Sequence, residues 1–178
     1  MDIEAFVQQV VDFVRTHQVW AAPIMFALAF GESLVFISLL IPAWSIIIAM
    51  GAAIGSSGIS FWPILIAGAL GAALGDWLSY WIGFKLEGAV YHMWPLSRRP
   101  ELIPKGEAFV KKWGVFGIFI GRFFGPLRAA VPLVAGIFAM PYWHFQFANF
   151  TSAFVWVAML LTLGDGIHSI VKWIWAVI

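Results

Sequence analysis

Apolar and polar positions divide this chain into long runs separated by single charges. Over residues 1–18, Ile3, Phe6, Val7, Val10, Val11 and Val14 recur at helical spacing, with Glu4, Gln8, Asp12 and Arg15 between them. That pattern predicts an amphipathic helix lying in a membrane interface. Residues 19–31 are apolar until Glu32 interrupts, and residues 33–75 carry no charge until Asp76. One hydrophilic stretch follows, residues 84–112. Residues 113–164 carry no charge except Arg122 and Arg128. Asp165 closes that run, and residues 166–178 form a short apolar tail.

A spanning helix needs about 20 apolar residues. Residues 60–83 and 142–163 meet that length, whereas 33–57 and 114–139 do not read as simple spans. Pro42 divides the first into arms of 9 and 15 residues, and Gly125-Pro126 with Pro132 break the second. Proline removes a backbone donor and clashes with the preceding turn. Arms this short predict two opposed re-entrant hairpins, 33–57 and 114–139. Non-helical backbone at that depth must be buried in protein or line a wet cavity. A pair of merely kinked helices is the alternative.

The two halves also match one another. Phe30-Gly31-Glu32 precedes Pro42, Met50-Gly51 and then Phe61-Trp62, which opens a long span ending at Gly83. Ile120-Gly121-Arg122 precedes Pro126, Ala135-Gly136 and then Tyr142-Trp143, which opens a long span ending at Gly164. Paired broken helices in corresponding halves predict an inverted repeat with a site near the membrane midplane.

Composition agrees with a membrane environment. Of 178 residues, 62% are hydrophobic and 11% charged, and mean hydropathy is +0.93. An ordinary soluble domain is roughly 25% charged. The expected architecture is an all-α integral membrane protein, a single domain over 1–178 with no room for a separate soluble enzyme. The loop 84–112 holds Lys85, Arg98, Arg99, Lys105, Lys111 and Lys112, which places it and the N-terminus in the cytoplasm. An orientation signal and contact with anionic lipid are both open for this basic run. Asp2 and Glu4 precede the first basic residue, Arg15, so the N-terminus is expected to be retained rather than cleaved as a signal. The net charge of +1 gives no reason to expect a nucleic-acid partner, and with no cysteine there is no thiol chemistry.

Four charges remain at membrane depth. Each costs roughly 2.5–3.5 kcal/mol on insertion scales and needs a partner, a proton or water. Glu32 opens the first broken segment, and Arg122 holds the matching place in the second. Arg128 lies just past Gly125-Pro126. Asp76 lies in a helix whose Gly68, Ala72, Gly75 and Ser79 form a small-residue face, with Ser79 and Tyr80 on the same side. Arginine cannot discharge itself by losing a proton. Two arginines beside a broken backbone therefore point to an anion, and a planar guanidinium suits phosphate. The plainer possibility is that Glu32 and Asp76 only neutralise the arginines, since two acids balance two bases.

Other signals lead nowhere. His17, His92, His144 and His168 lack metal-ligand spacing, so neither metal nor cofactor is expected. Gly55-Ser56-Ser57-Gly58 lacks the nucleophile-elbow frame. Asn149-Phe150-Thr151 fits a glycosylation triplet but sits inside an apolar span.

Three elements carry a family resemblance: Phe30-Gly31-Glu32-Ser33 before a proline-broken arm, Gly75-Asp76-Trp77-Leu78-Ser79-Tyr80-Trp81-Ile82-Gly83, and Gly121-Arg122-Phe123-Phe124-Gly125-Pro126-Leu127-Arg128 leading to Pro132 and Ala135-Gly136. Together, in this order, they resemble the DedA family, the bacterial branch of the VTT or SNARE-associated-Golgi-protein group, over residues 20–165. The resemblance implies a bacterial inner-membrane protein with two opposed re-entrant hairpins. It implies lipid translocation, with bacterial members linked to returning undecaprenyl phosphate across the membrane and eukaryotic relatives to phospholipid scrambling. Some members are linked to proton-motive force and to drug or pH tolerance. Many members carry Pro-Gly and then an acid or Thr at the first hairpin tip. This chain has Pro42-Ala43-Trp44-Ser45 instead, so an acid-dependent proton step at that tip is not expected.

The resulting expectation is a lipid-phosphate translocase rather than an enzyme. Arg122 and Arg128 hold the phosphate in a partly wet cavity. Glu32 and Asp76 hold the arginines when the site is empty, and one of them carries a coupling proton. Ser45, Ser79, Tyr80, Pro42, Gly75, Gly125 and Pro126 support the site. The rival expectations are a proton-coupled exporter of small cations or drugs, in which the acids are primary, and an intramembrane lipid-phosphate phosphatase, for which no nucleophile or metal set is present.

Overall fold

The computed structural model describes residues 9, 12–14, 16–34, 43–57, 60–86, 89, 102–124 and 127–177. Pro42, Gly125 and Pro126 lie outside these residues, as do most of the expected N-terminal helix and residues 87, 88 and 90–101 of the expected loop, whereas residues 84–86 and 102–112 of that loop are helical. The elements among the described residues are helices: α1 (Ala21–Ser33), α2 (Ala43–Ser57), α3 (Phe61–Leu86), α4 (Leu102–Gly121), α5 (Leu127–Ile137) and α6 (Tyr142–Val177). A 3-10 turn, Gln18–Trp20, leads into α1.

The Phe61–Leu86 helix and the Tyr142–Gly166 part of α6 are long and apolar enough to cross a membrane. Their surfaces run opposite to those of a water-soluble protein. Along α3, Trp62, Ile66, Leu70, Leu74, Trp77 and Trp81 form an exposed apolar stripe at helical spacing. Gly68, Ala72, Gly75, Asp76 and Ser79 form the buried side. On α6, Trp143, Phe147, Phe150, Phe154 and Leu163 are exposed, while Asn149 and Ser152 are fully buried. Apolar stripes of this extent are unstable against water and are at rest against lipid.

The expected span over 60–83 therefore becomes α3, and that over 142–163 becomes the first part of α6. The C-terminal stretch 166–178 is not a separate tail, because α6 runs through it to Val177. Of the two broken segments, residues 43–57 form α2, a helix of 15 residues, and residues 127–137 form α5, a helix of 11. Pro132 lies inside α5 without ending it. One break lies elsewhere: α4 is interrupted at Gly114, whose φ of 45° and ψ of −125° suit glycine alone.

Packing joins the halves crosswise. α1 packs on α3 and α4 packs on α6, whereas α2 packs on α6 and α5 packs on α3. Close backbone approach at glycine makes the crossed contacts possible. A β-carbon on Gly136 would strike the Tyr80 carbonyl, and one on Gly83 would strike the Leu133 carbonyl. A β-carbon on Gly51 would strike the Leu161 carbonyl, and one on Gly164 the Ile48 carbonyl. In all four cases the obstructing carbonyl lies three residues before the partner glycine. Gly71 and Gly75 press in the same way on the Phe26 and Phe30 carbonyls of α1.

Candidate functional site

The four membrane-depth charges meet in the interior. Asp76 is brought inward by the glycine face of α3, which seats that helix against α1. Glu32 and Ser33 end α1 beside it. Arg122 follows the last turn of α4, where the chain bends through Phe123 and Phe124. Arg128 lies in the first turn of α5. Glu32, Asp76, Arg122 and Arg128 are respectively 5%, 4%, 3% and 8% exposed, so all four are withdrawn from any solvent.

They form two ion pairs. Arg122 Nη2 donates to Asp76 Oδ2 and also to Asn149 Oδ1 at 2.6 Å, while Arg122 Nε donates to Ser152 Oγ at 2.9 Å. Arg128 Nη1 donates to Glu32 Oε1 at 2.6 Å, and its guanidinium carbon lies 4.0 Å from the centre of the Trp156 ring. That geometry places a cation on an aromatic face. The two pairs lie close enough for Arg128 to act electrostatically on both Asp76 and Arg122. The Trp44 backbone amide, in the first turn of α2, faces the Glu32 carboxylate. The positive end of that helix therefore adds to the field that keeps Glu32 in place.

Among the described residues, two buried side-chain atoms have no hydrogen-bond partner: Glu32 Oε2 and Arg122 Nη1. An unpaired buried polar atom costs about 1–3 kcal/mol, and more when the group is charged. The site thus holds one spare anionic oxygen and one spare cationic donor.

The other expected residues divide. Ser79 Oγ donates to Gly75 O at 3.1 Å and reaches Ser33 O at 3.4 Å, beside the charges. Gly75 supplies the close approach to α1. Tyr80 is committed elsewhere: its hydroxyl donates to Met140 O at 2.6 Å, and its ring stacks on Phe145. Ser45 is half-buried on α2. Pro42, Gly125 and Pro126 fall outside the described residues.

Three further residues belong to the site without having been expected there. Asn149 accepts from Arg122 and donates to Ala73 O on α3 at 2.8 Å, tying the arginine to both long helices. Ser152 lies one turn further along α6, and Trp156 one turn beyond that. The signal for them is a polar face at spacing 146, 149, 152 within an apolar span, the kind of face that singled out Ser79 on α3.

A model of the VTT domain matches residues 41–166 of this chain. Inner membrane protein YabI of Escherichia coli K12 is 33% identical over 144 residues, which cover 81% of this chain and 57% of that protein. Inner membrane protein YghB of the same strain is 28% identical over 151 residues, covering 83% and 68%. The uncharacterized membrane protein Mb2670 of Mycobacterium bovis is 31% identical over 164 residues, covering 88% and 70%. Against the first relatives, YabI included, the chain spans little more than half their length. No solved structure matches.

Proposed function

The chain belongs to the VTT domain family of membrane proteins, the DedA family, and from that premise we propose that it carries a lipid phosphate across the bacterial inner membrane. The substrate class is undecaprenyl phosphate, a related polyprenyl phosphate, or a phospholipid. One observation carries this reading: Arg122, almost fully buried and held by Asp76, Asn149 and Ser152, keeps a donor at Nη1 that no atom of the described residues takes up. A phosphate oxygen would complete it, with Arg128 as the second cation.

Asp76 and Glu32 hold the arginines because a buried arginine without a counter-ion is far costlier than a paired one. An arriving phosphate displaces the carboxylates, and Glu32 takes up a proton as it leaves Arg128. Segments 33–57 and 114–139 act as re-entrant hairpins. Their helical arms α2 and α5 are about 22 and 16 Å long at 1.5 Å per residue, well short of a core of about 30 Å. The matching contacts of Gly51 with α6 and Gly136 with α3 support an inverted repeat, about which the two hairpins rock to open one side and then the other. The basic loop keeps its side of the protein in the cytoplasm.

A second reading has its own observation. Glu32 Oε2 is buried and unpaired, so an exporter that loads a proton or a small cation on Glu32 would use that spare oxygen. One experiment separates the two. Purified protein in vesicles is assayed for polyprenyl-phosphate movement, with and without a pH gradient. Arg122→Lys and Arg128→Lys should each abolish transport, because lysine lacks the fork. Full transport with lysine at both positions would rule out the phosphate clamp. No polyprenyl-phosphate movement by the wild-type chain, together with a proton flux that Glu32→Gln removes, would favour the exporter.

A further inference from the structure

A groove of about 480 Å3 runs between α4 and α5. Gly117 and Gly121 on α4 and Ala130 and Val134 on α5 line it. Each pair is four residues apart, and on α4 the two glycines hollow one face of the helix. Trp113 and Phe124 also line it. A second apolar groove, between α1 and α3, is lined by residues such as Phe26, Trp62 and Ala67, and neither groove has a charged residue in its wall.

The α4–α5 groove differs in which residues adjoin its wall. Lys112 precedes the lining residue Trp113, and its ammonium lies 5.6 Å from the centre of that ring. Arg122, which holds the spare donor, follows the lining residue Gly121 in the chain. An apolar slot whose wall adjoins a cation at two points is complementary to one kind of molecule, a hydrocarbon chain with an anionic head.

We propose that this groove is the lateral slot by which a lipid phosphate reaches the buried arginines. Its head meets Lys112 first, one of its chains lies along the glycine-hollowed face, and the head is then passed to Arg122. The inference rests on the lipid-phosphate reading and adds where the hydrocarbon lies.

The test uses the full chain in phosphatidylcholine vesicles with a single-chain alkyl phosphate carrying a diazirine in its tail. After illumination, labelled residues are located by mass spectrometry. Labels should favour Trp113, Ile120 and Phe124 over Phe26 and Trp62 by about tenfold. The corresponding neutral alcohol should lose that preference. Ala130→Phe and, independently, Val134→Phe should lower labelling of the groove by about tenfold. Ala67→Phe, which fills the other groove, should leave it unchanged, and Lys112→Gln should reduce it. Equal labelling of both grooves by the wild-type chain would overturn the slot, and so would the same pattern with the alcohol.

Translocation is measured on the same vesicles. Movement at full rate in both groove-filled variants would remove the slot and leave the transport reading intact. Strong groove labelling without any translocation would keep the slot as a lipid-phosphate site and remove the transport reading.

Discussion

Asn149 stands between Arg122 and the backbone of α3. Its side-chain oxygen accepts from the guanidinium at 2.6 Å, and its amide donates to the Ala73 carbonyl at 2.8 Å. An asparagine can do this because it carries an acceptor and a donor on one rigid group. The arginine's direction is therefore fixed by the packing of α3 against α6 as well as by the acid it pairs with.

Replacing Asn149 should disturb that direction. Asn149→Leu leaves a second unmet donor on a buried arginine and should cost about 1–3 kcal/mol. Asn149→Asp should fold well, yet give Arg122 a second carboxylate that competes with any incoming anion. Thermal unfolding in detergent should separate the two variants, and lipid-phosphate transport should fall in both.

The ion pairs should show asymmetry between losing one partner and losing both. Asp76→Asn strands a buried guanidinium and should destabilise by about 3–5 kcal/mol. Combining Asp76→Leu with Arg122→Met removes both charges and should recover most of that loss, while transport stays absent. Equal stability of the single and double variants would contradict a buried, tightly paired Arg122.

Trp156 should matter through the cation it faces. A desolvated guanidinium over an indole is worth about 2 kcal/mol. Trp156→Leu should lose most of that, and Trp156→Phe only part. Both should weaken transport in a background where Arg128 is present and do little once Arg128 is already replaced by methionine. A double-variant cycle on unfolding midpoints reads the coupling directly.

Glycines at the crossed contacts should be intolerant in matched pairs. Gly51→Ala and Gly136→Ala each drive a methyl into a backbone carbonyl and should cost about 1–3 kcal/mol, by similar amounts. Gly166→Ala meets nothing within 4 Å and should be neutral or mildly stabilising. Gly114→Ala also meets nothing, yet should cost about 1–3 kcal/mol because its backbone conformation is closed to alanine. Unfolding midpoints of the four variants distinguish crowding from backbone strain.

Much of this site was legible before any coordinates. Glu32, Asp76, Arg122 and Arg128 stand out because a charge in an apolar run is expensive and therefore rare. Their pairing was not legible, since the partners are 46 and 96 residues apart and only the packing of α1, α3, α4 and α5 decides which acid meets which base. Asn149 and Ser152 were readable in principle as a polar face on α6, but uncharged polar residues cost less at depth and draw less notice. Tyr80 illustrates the limit of helical spacing. It lies four residues after Asp76, yet its long side chain carries the hydroxyl away to Met140. The break at Gly114 was also hidden, because a lone glycine in an apolar run more often serves packing than a turn.

The crossed seating of α2 and α5 sets an order for making this protein. α5 has its berth ready, since α3 has already left the ribosome when Gly136 emerges. α2 does not: the surface that Gly51 presses against belongs to α6, and it is absent until the chain has been synthesised as far as Gly164. Through most of translation, then, the first broken segment must wait in the insertion machinery or in lipid with its glycine face uncovered, and Glu32 must wait beside it for an arginine that has not yet been made.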